Sequence, residues 1–116
     1  MDVRIDPAST VPPYEQLRTQ VARQAADGSL PAGTRLPPVR QLATDLGLAA
    51  NTVARAYKEL EALGVVETRG RAGTFVTGGG VHRSAREAAA AYVGSVRALG
   101  LSDDAALDAV RHALGS

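Results

Sequence analysis

With 116 residues the chain can bury one core of ordinary size and carry a modest appendage, which leaves too little for a second independent core. Hydrophobic residues at 45% and charged residues at 22% fit a soluble globular protein, and the absence of cysteine excludes disulfides, thiolate metal sites and cysteine nucleophiles. A formal net charge of +1 excludes a strong global basic field, so any nucleic-acid binding has to be argued from where charges lie.

The opening segment, from Arg4 to Pro13, carries short extended and proline signals. Tyr14, Leu17, Val21 and Ala25 then recur at helical spacing, with Pro13 in the first turn and Gly28 where a reversing cap would end the helix. Leu30, Pro31, Ala32 and Gly33 read as a turn. A second, short helix is expected from Pro38 or Val39, burying Val39, Leu42, Ala43 and Leu46 and stopping at Gly47.

After a break over Gly47, Leu48, Ala49 and Ala50, a third helix is expected from about Asn51 to Leu63, ending at Gly64. Two short helices about a glycine turn form a helix-turn-helix candidate. At about 100° per residue, Val53, Ala56, Tyr57, Leu60 and Gly64 gather on one side of the third helix, and Asn51, Arg55, Lys58 and Ala62 on the other. An amide and an arginine near the start of such a helix suit base edges, since Asn pairs with adenine and Arg with guanine, while Lys suits phosphate.

Val65 to Arg69 and Thr74 to Thr77 are rich in β-formers and flank Gly70, Arg71, Ala72 and Gly73, the pattern of a hairpin or wing. Gly78, Gly79 and Gly80 suggest a flexible joint, dividing the chain into 1–78 and 79–116. Residues 83–99 and 102–114 then read as two helices broken at Gly100, with Ser102 as N-cap and Asp103 and Asp104 in the favourable first turn. The expected fold is mainly α with a small β-hairpin: a winged helix-turn-helix followed by a short two-helix tail.

The run Leu36-Pro37-Pro38-Val39-Arg40-Gln41-Leu42-Ala43, then Leu46-Gly47-Leu48, Asn51-Thr52-Val53 and Gly70-Arg71-Ala72-Gly73-Thr74-Phe75-Val76, resembles the GntR family of bacterial regulators in order and spacing. Pro13-Tyr14-Glu15-Gln16-Leu17 resembles the family's opening helix. Asn51-Thr52-Val53, Arg55-Ala56-Tyr57 and Glu59-Leu60-Glu61 are most similar to its YtrA-type branch, whose members carry only a short helical tail. The resemblance implies a DNA-binding transcriptional regulator, with Arg40, Asn51, Thr52, Arg55, Arg69, Gly70 and Arg71 at DNA-contacting positions. It further implies control of a transporter operon, as is common in that branch. The sequence departs from the pattern at Pro38, where serine is frequent, and at Ala49 and Ala50, where a cap and a proline are usual. Ala72 adds a residue to the Gly-x-Gly-Thr turn. Without a capping side chain at Ala49 the third helix is expected to lose about 1 kcal/mol.

The full candidate DNA-binding set is Arg35, Arg40, Asn51, Thr52, Arg55, Lys58, Arg69, Gly70, Arg71, Gly73 and Thr74. Competing readings are an Arg40–Asp45 salt bridge and a merely solvated hairpin tip. Apolar stripes of the tail nominate Tyr92, Val93, Val96, Leu99, Leu107, Val110 and Leu114 as a homodimer interface, with packing onto the first helix as the alternative. His82 and His112 lack neighbours at ligand spacing, so no metal and no cofactor is expected, and no paired carboxylates or nucleophile triad suggest an enzyme. A small-molecule effector at the dimer interface or beside the wing stays open. No apolar run reaches membrane-span length and the start is unlike a signal peptide, which leads to an expectation of a cytoplasmic protein with no membrane partner. The functional expectation is a homodimeric repressor acting on a two-fold operator. A winged-helix protein-interaction module without DNA binding, and a truncated aminotransferase-type regulator, are the alternatives.

Overall fold

Pro12 and Pro13 set the entry to the first helix of the protein, a computed structural model described over residues 1–115. Helix α1 spans Pro13–Asp27 and reverses at Gly28; α2 spans Val39–Leu46, and α3 spans Ala50–Ala62. Strands β1 (Val66–Thr68) and β2 (Thr74–Val76) pair antiparallel, with Val66 opposite Val76 and Thr68 opposite Thr74. Helices α4 (Gly80–Ala98) and α5 (Asp103–Ala113) follow. All five expected helices and the hairpin are present, and the whole is a winged helix-turn-helix followed by a helical pair.

Apolar burial fixes the arrangement of the first three helices. Leu17 and Val21 of α1, Leu42 and Ala43 of α2, and Val53, Ala56, Tyr57 and Leu60 of α3 form one core with Leu30, Leu36, Val65, Val66 and Val76. Each fully buried Leu or Val contributes about 1.5–3 kcal/mol relative to an exposed one. Val39 and Leu46, expected inside, are only half-buried because α2 is short and turns just Leu42 and Ala43 squarely inward.

Two backbone features were not anticipated from the sequence. The chain from Gly33 to Leu36 joins the free edge of β2. Gly33 N–H donates to the Val76 carbonyl at 2.8 Å, Val76 N–H to Thr34 at 2.9 Å, and Leu36 N–H to Thr74 at 2.8 Å. Strand β2 is thus hydrogen-bonded along both edges, by β1 and by this segment. The opening segment is also ordered by the row Gln16, Gln20 and Gln24 on α1. Gln20 accepts from Arg4 N–H at 3.0 Å and donates to the Arg4 carbonyl at 2.7 Å; Gln16 does the same for Asp6, at 2.9 and 3.0 Å. Gln24 donates to the Asp2 carbonyl at 2.6 Å. Four helical residues advance about 6 Å and two extended residues about 6.6 Å, so the two rows stay in step while Val3 and Ile5 pack on the core.

The chain divides into two compact units, Met1–Ser84 and Ala85–Ser116, so the division falls within α4 and not at the triglycine. The reading of Gly78, Gly79 and Gly80 as a loose joint needs correction at Gly80, which is buried and begins α4. A Cβ there would collide with the Gly64 carbonyl and the Thr77 hydroxyl. Thr77 donates to the Gly64 carbonyl, Ser84 to that of Leu63, and Val81 packs on the core. The glycine is there for close approach, not for freedom.

In the second unit Tyr92 donates to the Ala106 carbonyl at 2.8 Å, and Val96 and Ala106 are buried where α4 meets α5. Ser102 caps α5 by accepting from Ala105 N–H at 3.2 Å, as its position implied.

Candidate nucleic-acid interface

The third helix is held by its apolar side. Val53, Ala56 and Leu60 are fully buried, and Tyr57 donates a 2.6 Å hydrogen bond to the Pro37 carbonyl. Burial pushes the Tyr57 phenol well above the usual tyrosine range. The opposite side is left facing out: Asn51, Arg55, Lys58 and Ala62 are exposed and Thr52 is half-buried. Asn51, Arg55, Lys58 and Glu59 line one open groove along α3. Ala49 occupies the N-cap with extended φ and ψ of −68° and 145°, and no side chain caps the helix, as the substitution at this position led one to expect.

Arg55 is not a free surface arginine. Its Nε donates to Glu59 Oε2 at 3.1 Å, and its guanidinium carbon lies 3.6 Å from the centroid of the Tyr14 ring. The other carboxylate oxygen of Glu59 accepts from Arg18 Nη1, and Arg18 also pairs with Glu15 at 3.3 Å. The bond from Arg18, then that from Arg55, holds the Glu59 carboxyl below its usual range. The sequence reading placed Arg55 correctly on the outer face but did not see its partners. Glu59 at i+4 was a visible signal; Tyr14 and Arg18 come from another helix.

The wing distributes its candidates unevenly. Arg69 donates twice to Glu67 Oε1, at 2.9 and 2.6 Å, and stacks over Phe75 at 4.5 Å, so it lies along the strands. Arg71 is exposed within a single 3₁₀ turn at Gly70–Ala72, which accommodates the additional Ala72. Gly73 has φ 114° and ψ −163°, and a Cβ on it would come 2.7 Å from Arg35 Nε. Arg35, Gly73 and Thr74 therefore share one cleft at the wing's base with Pro37, Val39 and Tyr57. A neighbouring cleft brings Lys58 of α3 beside Thr74. Arg40 is exposed on α2, outside both clefts. Among the described residues it forms no ion pair with Asp45.

The tail presents an apolar groove lined by Tyr92, Val93, Val96, Leu107 and Val110. Tyr92 and Val96 are largely used within the helical pair, whereas Leu99 and Leu114 are 78% and 81% exposed. Among the described residues no group of three His, Cys, Asp or Glu side chains could hold a metal, and no helix is long and apolar enough to cross a membrane.

An outward polar helix carried on a three-helix core and flanked by a braced hairpin defines a winged helix-turn-helix protein. The family model for bacterial regulatory proteins of the GntR family matches residues 13–76, and the chain belongs to that family. It is 52% identical over 111 residues to the HTH-type transcriptional regulator Rv1152 of Mycobacterium tuberculosis, spanning 95% of this chain and 92% of that protein. It is 46% identical over 76 residues to the HTH-type transcriptional repressor YtrA of Bacillus subtilis, 65% of this chain and 58% of that protein. The structure of YtrA from Sulfolobus acidocaldarius, a GntR-family transcription factor, superposes with a TM-score of 0.65 at 26% identity, covering 97% and 96% of the two chains. These relatives are transcriptional regulators, and they match the YtrA-type branch that the motifs suggested.

Proposed function

We propose that this chain is a cytoplasmic, homodimeric repressor that binds a two-fold operator through its first unit, Met1–Ser84, and pairs through the helical unit that follows. The observation carrying this reading is the two-sidedness of α3: Val53, Ala56, Tyr57 and Leu60 clamp the helix while Asn51, Arg55 and Lys58 remain exposed. Asn51 and Arg55 read base edges in the major groove, Thr52 and Lys58 contact phosphates, and Arg40 on α2 fixes register on the backbone. Arg71 at the wing tip is the candidate for the adjacent minor groove, with Arg69, Gly70, Gly73, Thr74 and Arg35 along the backbone. The tail's exposed Val93, Leu99, Leu107, Val110 and Leu114 supply a self-complementary apolar surface, and two heads joined by two-fold symmetry engage two half-sites. The repressor role and a transporter operon as target follow from kinship with the YtrA-type branch.

The test is binding to genomic promoter fragments by gel shift, followed by footprinting of the shifted fragment. Asn51→Ala should cost about 1–3 kcal/mol on the footprinted site and little on random duplex. Arg71→Ala should weaken both alike and lower the salt slope by about one. Failure to shift any fragment at low salt would favour a protein-interaction module. Equal losses for Asn51→Ala on both duplexes would remove its base-reading role.

A further inference from the structure

The contacts around Arg55 leave it with one usable edge. A guanidinium offers five N–H donors, one on Nε and four on the terminal nitrogens. Nε is taken by Glu59 Oε2 at 3.1 Å, and one face of the plane lies over the Tyr14 ring at 3.6 Å. Glu59 cannot easily swing away, because its second oxygen accepts from Arg18. The hydrogen bond from Arg18, and then that from Arg55, hold the Glu59 carboxyl below its usual range. Among the described residues the terminal nitrogens of Arg55 have no hydrogen-bond partner, and its side chain remains 60% exposed. This end-on pair of nitrogens is the edge that meets guanine O6 and N7.

We propose that Tyr14 and Glu59 are positioning residues that hold the Arg55 guanidinium with its terminal fork outward, so that preference for guanine at one operator position depends on two side chains that touch no base. The inference rests on the reading of α3 as the DNA-reading helix. An unrestrained arginine loses side-chain entropy on binding and can reach several acceptors. One held over a ring by a bonded carboxylate has already lost most of that freedom, which favours a single acceptor geometry. Helix α1, which in this reading contacts no base, becomes a determinant of specificity through Tyr14.

The experiment selects duplexes from a randomised library with the full chain and with Arg55→Ala, which locates the base pair whose preference Arg55 carries. Discrimination at that pair is then measured, as the ratio of Kd values for the selected duplex and its single-pair variant, for Tyr14→Leu, Glu59→Gln and Tyr14→Phe. Tyr14→Leu is expected to lower discrimination about 3- to 30-fold at that pair alone. Tyr14→Phe, which keeps the ring face, is expected to retain it. Glu59→Gln should lower discrimination at the same pair, and in the Arg55→Ala background Tyr14→Leu should change nothing there. A uniform loss across all pairs, or discrimination undiminished in both Tyr14→Leu and Glu59→Gln, overturns the positioning role while leaving Arg55 as a reader. Retention of every base preference by Arg55→Ala removes Arg55 as a reader, and the positioning role with it, while leaving Asn51 to test α3 as the reading helix. Should Tyr14→Leu fail to fold in a thermal melt, Glu59→Gln carries the same comparison.

Discussion

The phenol of Tyr57, on the buried side of α3, donates a 2.6 Å hydrogen bond to the carbonyl of Pro37, the second residue before α2. This bond ties α3 to the loop that launches α2, and Tyr57 is only 8% exposed. Tyr57→Phe keeps the ring but leaves the Pro37 carbonyl without that donor, so it should destabilise the fold by about 1–3 kcal/mol. Urea unfolding of the two proteins measures this. A midpoint unchanged by the substitution would mean that water replaces the hydroxyl without cost.

The same residue sets an alkaline limit. Burial raises the Tyr57 pKa above its usual value of about 10, so the folded protein keeps a proton that the unfolded chain gives up. Its contribution is therefore complete below about pH 10 and is lost as pH rises from there towards the folded value. The unfolding midpoint of the wild type should fall more steeply above about pH 10 than that of Tyr57→Phe; parallel curves would refute it. Glu59 acts with the opposite sign. Its carboxyl is held low, chiefly by Arg18, so its contribution is present above the usual carboxylate range and fades as pH falls through the folded value. Glu59→Gln should flatten that acid limb.

Ala49 precedes α3 in N-cap geometry without an oxygen to offer. Ala49→Ser should let a side-chain oxygen accept from an orphan N–H of the first turn and stabilise the protein by about 1 kcal/mol. A thermal melt reads the gain. No rise would show that a neighbouring group or water already satisfies those donors.

What could be read from the residues depended on whether the physics was local. The two faces of α3, the hairpin and the Ser102 cap all follow from periodicity or from groups within four residues of each other, and each was legible. Arg55 was legible as an exposed residue but not as a held one, because Tyr14 and Arg18 lie 41 and 37 positions earlier in the chain. The edge formed by Gly33 to Leu36 was hidden for the same reason: Thr34-Arg35-Leu36 is too short to announce a strand until β2 lies beside it. Composition also misled at Gly80, where a missing side chain looks identical whether it confers freedom or permits contact with Gly64.

Gln16, Gln20 and Gln24 carried a usable signal, an i, i+4, i+8 row of amides beside the apolar stripe of α1. Each exposed hydrogen bond contributes about 0.5–1.5 kcal/mol. Gln20→Ala removes both bonds to Arg4. Amide exchange should then quicken at Arg4 before it does in α3, together with a small drop in midpoint. Unaltered protection at Arg4 would mean that Val3 and Ile5 alone hold the segment.

The tail supplies the last prediction. Leu107 is 54% exposed and Val110 39%, both lining the groove beside Val93. Glu has nearly the helix propensity of Leu, so Leu107→Glu should leave helicity intact while placing a charge in the apolar patch. If two copies meet there, each copy buries the other's carboxylate and the dimer separates. Sedimentation should then report a dimer for the wild type and a monomer for Leu107→Glu. Affinity for a two-fold site should fall far more than affinity for a single half-site, because the second head no longer benefits from tethering. A Leu107→Glu protein that stays dimeric with an unchanged circular dichroism spectrum would move the interface away from this groove.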